Sequence, residues 1–290
     1  MAIGINQTDS LGDAANITLA RARSVREQEG VMPQLVDKAL LAENTGTAYR
    51  ELAFSRMADA AAVAEGDEFD APQLVTDALI TGTPVEVGFE MILTDRMKRR
   101  LATKSLGELG SLAGHSMQRK KAKDGITQLD SFSTSLGNTG VTFASGYIDA
   151  AVATITGNAT ERGVAPIYTV IHSYQNRALR ADLIGGVGTY PIPEGISARV
   201  LQGGYTGINI AGSSVFIDNV SGVDAAGDFK GGTFAKEGIL LVQGKNLYKE
   251  EERLPGRRAT AMFMFDEYIF IERADSMGVE MYFDAPAPAS

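Results

Sequence analysis

Two histidines and not one cysteine stand in this chain of 290 residues, and that narrows its chemistry at once. Without cysteine there is no disulfide, no thiolate nucleophile, no zinc–thiolate site and no iron–sulfur cluster. His115 and His172 lie far apart, and neither has the HExxH spacing that sets two imidazoles on one helix face around a metal. The chain has no GxxxxGK phosphate loop and no GxSxG nucleophile elbow. Residues 185–195, GGVGTYPIPEG, contain a GxG but lack the third glycine of a dinucleotide loop and follow no strand directly. They read as a surface connection; a soluble α/β nucleotide-binding enzyme using this loop is the alternative from another function class. His172 closes a predicted strand, where catalytic groups often sit. No nucleophile or metal partner stands at a matching spacing, so it reads as a hydrogen-bonded histidine that opens a helix. His115, beside Gly114, reads as a packed or exposed helix residue. The acids Glu65, Asp67, Glu68 and Asp70 lack the alternation, glycine and distal glutamate of a calcium loop. Catalytic, cofactor and metal residues are therefore none, and the expectation is a protein that is not an enzyme.

What remains is charge, and it is unevenly spread. Lysine and arginine number 27 against 36 acids, a net charge of −9, which argues against dedicated nucleic-acid binding. Yet residues 96–123 hold Arg96, Lys98, Arg99, Arg100, Lys104, Arg119, Lys120, Lys121 and Lys123 against Glu108 alone. Such a stretch reads either as a solvated helix face or as a surface matched to acidic faces of neighbouring copies. No aromatic residue interleaves the basic ones, so pairing between subunits is favoured over a single-strand nucleic-acid site. The candidate contact residues are Glu65, Asp67, Glu68 and Asp70 on one side, and Arg99, Arg100, Arg119, Lys120, Lys121 and Lys123 on the other. Reversing Arg99, Arg100, Lys120 and Lys121 to Glu is expected to impair assembly and leave the monomer folded.

The elements that position these groups follow from periodicity. Residues 1–30 are polar and without period, and read as an extended or mobile arm. Pro33 to Glu43 reads as a helix opened by its proline. Residues 46–92 read as a long hairpin with a wide acidic tip, EGDEFDAPQ, and a return limb in which Val85, Val87, Phe89 and Met91 alternate with polar residues. Residues 94–134 read as one long helix, capped by Thr94 or Asp95. Its two apolar stripes, Leu106–Leu109–Ala113–Met117 and Ala122–Ile126–Leu129–Phe132, are out of phase and predict a kink. Gly107, Gly110, Gly114 and Gly125 each cost such a helix roughly 1 kcal/mol, which calls for close packing or bending there. Beyond a glycine turn, SLGNTG, helices are expected at 145–160 and 173–184, and strands at 167–172, 197–201, 207–211, 214–220, 259–271 and 277–283. The run MFMF–YIFI at 262–271 is apolar on both faces and should be buried on both. No stretch approaches the ~18 apolar residues of a membrane helix, and no secretory leader is expected.

The order of these segments resembles the major capsid proteins of tailed bacteriophages, the HK97-like fold. The similar stretches are MPQLVDKALLAENT, EGDEFDAPQ with TPVEVGFEMILTD, IYTVIHSYQNRALRADL, GINIAGSSVFIDNV, FKGGTFAKEGILLV and RRATAMFMFDEYIFIERADSMGVEMYF, spanning roughly residues 31–284. The resemblance implies an α+β fold with an N-terminal arm (1–45), an extended β-hairpin loop (46–92) and a peripheral domain around a long spine helix (93–140). A mixed α/β axial domain (141–244) would follow, then returning strands and a tail (245–290). It also implies a structural role: hexamers and pentamers of one chain closing an icosahedral shell around double-stranded DNA, assembled in the host cytoplasm and found in the virion. The expected partners are copies of itself, a portal, a separate scaffolding protein (since only a short arm precedes the fold), a decoration protein, and packaged DNA at non-specific proximity; no membrane and no cofactor is implied. Some relatives cross-link subunits through lysine and asparagine, and no residue here is assigned that role. An encapsulin-type compartment shell is the alternative within the same architecture. In either, a finger that cannot bury its tip at home must bury it on a neighbour.

Overall fold

The computed structural model of the chain describes residues 30–42, 46–54, 59, 60, 62, 76–100, 103–159, 161–185 and 209–287. Pro33 sits in the first turn of a short helix α1 (Met32–Leu35), followed by β1 (Asp37–Leu40). β2 (Tyr49–Phe54) and β3 (Thr76–Gly82) pair antiparallel as the described part of the finger. β4 (Val85–Thr94) leads into α2 (Asp95–Arg100) and the spine α3 (Thr103–Gln128), which tightens into a 3-10 turn at Leu129–Ser131. Then come β5 (Ser135–Thr142), α4 (Ser145–Gly157), β6 (Ile167–Ile171) and α5 (Ser173–Gly185). The chain continues through β7 (Asn209–Ile210), β8 (Ser213–Ile217), β9 (Asp228–Ala235), β10 (Ile239–Leu254), β11 (Ala259–Glu272) and β12 (Gly278–Asp284).

These strands form a four-stranded sheet, β1-β10-β11-β4, and a mixed six-stranded sheet, β5-β12-β9-β6-β8-β7. Two cores follow from the alternation of side chains along the strands. In one, Ile148, Ala151, Val152 and Ile155 of α4 and Leu179 of α5 bury against Ile171, Val279, Met281 and Phe283 of the larger sheet. In the other, Met32, Leu35 and Val36 meet Ile126, Leu129 and Phe132 of the spine, together with Val170, Phe234, Leu241, Tyr268 and Phe270. The end of the spine therefore ties the two sheets together.

Several sequence expectations change. Asp37–Leu40 is not helical: its backbone pairs in parallel with Leu240–Gln243 of β10, and a ladder to an existing sheet outweighs weak helical periodicity. The finger's return limb is Thr76–Gly82, whereas Val85–Thr94 pairs with β11 inside the four-stranded sheet. The clean alternation of Val85 to Met91 is thus real strand character in a different sheet, with Val85 and Phe89 left 60% and 38% exposed. SLGNTG is not a free turn but a bulged edge strand, pairing in parallel with β12 and carrying positive φ at Gly137 and Gly140. MFMF–YIFI is buried on one face only, since Phe263 and Phe265 are half-exposed. Thr94 is the cap of the basic segment, its Oγ1 accepting from Met97 N at 3.3 Å. The expected strand at 197–201 and the loop at 185–195, except for its first residue, lie outside the described residues.

The spine remains α-helical from Thr103 to Gln128, through the phase shift of its stripes. Its glycines are of two kinds. A Cβ on Gly125 would stand 2.9 Å from Met32 Cβ and 3.1 Å from the Phe270 ring, so close packing demands glycine there. Gly110 and Gly114 face open space. In β9, a Cβ on Gly231 would lie 2.2 Å from the Val170 carbonyl oxygen, a backbone atom that cannot step aside. Gly231→Ala is therefore expected to cost about 3 kcal/mol or more, whereas Gly110→Ala and Gly114→Ala should each stabilise by up to ~1 kcal/mol. Urea unfolding of the three variants measures both.

Candidate assembly surface

The basic segment divides once it is folded. Lys121 turns inward: its Nζ donates to Asp266 Oδ2 at 3.0 Å and to Gln243 Oε1 at 2.5 Å, and stands 4.6 Å from the Tyr268 ring centre. Gln243 Nε2 donates in turn to Asp266 Oδ1 at 2.5 Å, and the Tyr268 hydroxyl donates to Asp124 Oδ2 at 2.9 Å. Burial first, and then the bond to the Asp124 carboxylate, hold the Tyr268 phenol well above its ordinary pKa, so it stays a donor. Lys120 pairs with Asp124 at 2.5 Å one helical turn on, an exposed pair worth about 0.5 kcal/mol. Arg96, Arg99 and Lys123 are exposed, Lys98 and Arg119 are half-buried, and Arg100 ends α2. Lys121 thus binds its own sheet, which weighs against including it in the fourfold reversal of Arg99, Arg100, Lys120 and Lys121 expected to leave the monomer folded. The acidic group Glu65, Asp67, Glu68 and Asp70 lies outside the described residues.

The finger's root is fixed by a residue that sequence reasoning missed. Arg273, just past β11, donates from Nη1 to Asp37 Oδ2 of β1 at 3.0 Å, and from Nε and Nη2 to Glu51 Oε2 of β2 at 3.3 Å each. Burial works against its charge, but Asp37 and Glu51 together outweigh it and hold its pKa above the usual arginine range. Beside it, Gly82 closes the finger onto β11 so tightly that a Cβ would sit 2.0 Å from Ile271 Cδ1. The only sequence signal was an arginine ending a strongly apolar strand.

The root of the N-terminal arm is fixed in the same manner. Asp218, 1% exposed at the end of β8, accepts from Val31 N at 2.9 Å and Val220 N at 2.8 Å. A Cβ on Gly30 would fall 2.0 Å from Ala122 Cβ of the spine. His172 lies close to this anchor. Its Nδ1 accepts from Tyr174 N at 3.2 Å, and its ring packs on Tyr174 and Phe229. Burial pushes its pKa below 6.5, and the charge of Asp218 opposes this only in part. The expected hydrogen-bonded histidine opening a helix is what the structure contains.

No protein-family model matches the sequence, and no curated protein sequence matches it. Solved structures do match, over nine-tenths or more of each chain. The capsid of an empty GTA particle superposes with a TM-score of 0.69 at 12% identity, covering 97% of this chain and 100% of that one. The capsid of cyanophage P-SCSP1u gives a TM-score of 0.67 at 11% identity, covering 92% of each chain. The chain has the HK97-like capsid fold. The holo-SrpI encapsulin complex of Synechococcus elongatus PCC 7942 shares it, with a TM-score of 0.62 at 12% identity over 96% of this chain and 98% of that one.

Two outcomes follow from these contacts. Lys121→Glu would bury a carboxylate beside Asp266 and should cost about 3–5 kcal/mol in urea unfolding, whereas Lys123→Glu, on the exposed face, should change stability by less than about 0.5 kcal/mol. His172 has a folded pKa below the 6.5 of a free imidazole, so the stability it contributes is complete above pH 6.5 and is lost as pH falls below it. Melting temperature should therefore drop between about pH 7.5 and about pH 5.5, and His172→Asn, whose Oδ1 can still accept from Tyr174 N, should flatten that slope.

Proposed function

We propose that this chain is the major capsid protein of a tailed phage, a structural subunit and not an enzyme. Copies assemble through hexamers and pentamers into an icosahedral shell around double-stranded DNA. The observation that carries this reading is the end-to-end likeness to capsid subunits, with no large part of either chain left over. The finger supports it: its described strands form a sheet of their own, held to the body at the root by Arg273 and Gly82. A projection built in this way is placed to lie across a second copy, and heterologous contacts of that kind close into rings and shells. On this reading the protein belongs to the virion capsid and assembles in the host cytoplasm, with a separate scaffolding protein and a portal. A decoration protein on the outside and packaged DNA on the inside complete the set of partners. The pairing of Glu65, Asp67, Glu68 and Asp70 with the basic segment of a neighbour stays part of this proposal for Arg100, Arg119, Lys120 and Lys123, while Lys121 is bound within its own subunit.

The likeness to the SrpI complex favours a second reading, a compartment shell that encloses protein cargo. A nucleotide-binding enzyme has less support, since the six-stranded sheet is mixed and not a doubly wound parallel sheet. Expression with its genomic neighbours, followed by sedimentation and electron microscopy, tests the proposal. Closed icosahedral particles are expected, and nuclease-protected double-stranded DNA in particles from the native source. Protected protein cargo would instead establish the compartment, and a subunit that stays monomeric with every neighbour would remove both shell readings.

A further inference from the structure

The four-stranded sheet separates charge, and its two faces fit each other. Residues paired directly across strands project to one side. The register therefore places Glu250–Phe263–Glu90, Tyr248–Phe265–Gly88 and Lys245–Glu267–Glu86 in successive rows on the face away from the spine. Phe263 and Phe265 stack with parallel rings 6.1 Å apart, and Tyr248 lies 5.4 Å from Phe265. Gly88 leaves room for that ring: a Cβ there would come within 3.0 Å of it. Glutamates outnumber the single lysine around this aromatic stripe: Glu86, Glu90, Glu250 and Glu252 are all exposed, and Lys245 lies over the Tyr248 ring at 3.7 Å. On the opposite face, α2 caps Met91, Leu93 and Met262 through Met97 and presents Arg96 and Arg99 to solvent, and the carboxylate on its β10 edge, Glu251, is neutralised by its ion pair with Lys249. Beyond it along β4, Phe89 and Val85 remain 38% and 60% exposed.

We infer that the aromatic, glutamate-rimmed face of one copy docks on the arginine-rimmed α2–β4 face of a second copy, an interface that rests on the shell reading. Each side has an apolar centre and a charged rim, the anatomy of protein interfaces, and the rims are of opposite sign. The finger tip is a poorer occupant, since Glu65, Asp67, Glu68 and Asp70 would meet glutamates of like charge. Because the two faces lie on opposite sides of one sheet, the contact is head-to-tail and repeats from copy to copy.

The absence of cysteine makes the test direct. Glu90→Cys and Arg99→Cys are introduced together and singly, and the protein is oxidised or treated with a short bis-maleimide. A ladder of covalent multimers is expected from the double variant and monomers from each single one. In parallel, Glu90→Lys with Glu250→Lys should lower shell yield about tenfold, and adding Arg96→Glu with Arg99→Glu should restore it. Normal shells whose double-cysteine subunits stay monomeric overturn the interface and leave the capsid reading standing, as does a dimer from Glu90→Cys alone, which would mean that like faces meet. If the unaltered chain forms no shell, the capsid reading fails, and the ladder in soluble protein still decides this contact.

Discussion

A lysine placed beneath a helix, against a sheet, must find a counter-charge there or destroy the contact it sits in. Lys121 finds Asp266, with Gln243 and the Tyr268 ring around it, and this network joins the C-terminal third of the spine to β10 and β11. The rest of the fold depends on that junction. Below it, Ile126, Leu129 and Phe132 carry the spine into the core shared with the six-stranded sheet. Above it, Met97 and the paired Arg253 and Asp95 hold α2 over the same strands. Ionic networks of this kind fix geometry more than they add stability, and here the geometry fixed is the placement of one sheet relative to the other.

Charge then acquires a direction. In sequence the basic segment is a run of like residues with a local excess of +8. In the fold its members separate into a structural lysine, a helix-turn ion pair and an exposed set around α2. Glu86 and Glu90 of β4 and Glu250 and Glu252 of β10 collect on the other side of the sheet, while Glu251 stays on the α2 side. A subunit polarised across its own sheet has distinct donor and acceptor faces, as heterologous assembly needs.

Much of the architecture was legible because it follows local rules. α4, β6, α5, β11 and β12 fall where apolar periodicity puts them. Asp37–Leu40 was misread since four residues of helical spacing say nothing about a distant strand offering a parallel ladder. SLGNTG was misread since two glycines of positive φ serve a bulge as well as a turn. Of the surface, the basic cluster was visible as composition. Lys121's inward role was not, because its partners Gln243 and Asp266 are more than a hundred residues away. Arg273 and Asp218 stayed hidden for the same reason: an anchor between chain segments has no local period.

The clamp at Arg273 has a mechanical consequence. One planar guanidinium reads carboxylates on two different strands, so the finger cannot swing at its base without surrendering Glu51 or dragging β1 along through Asp37. Gly82, seated against Ile271, removes the slack that would let the base yield. A load applied far out along the finger therefore arrives at the end of β11 as torque, and from there passes into the strand on which the spine is mounted.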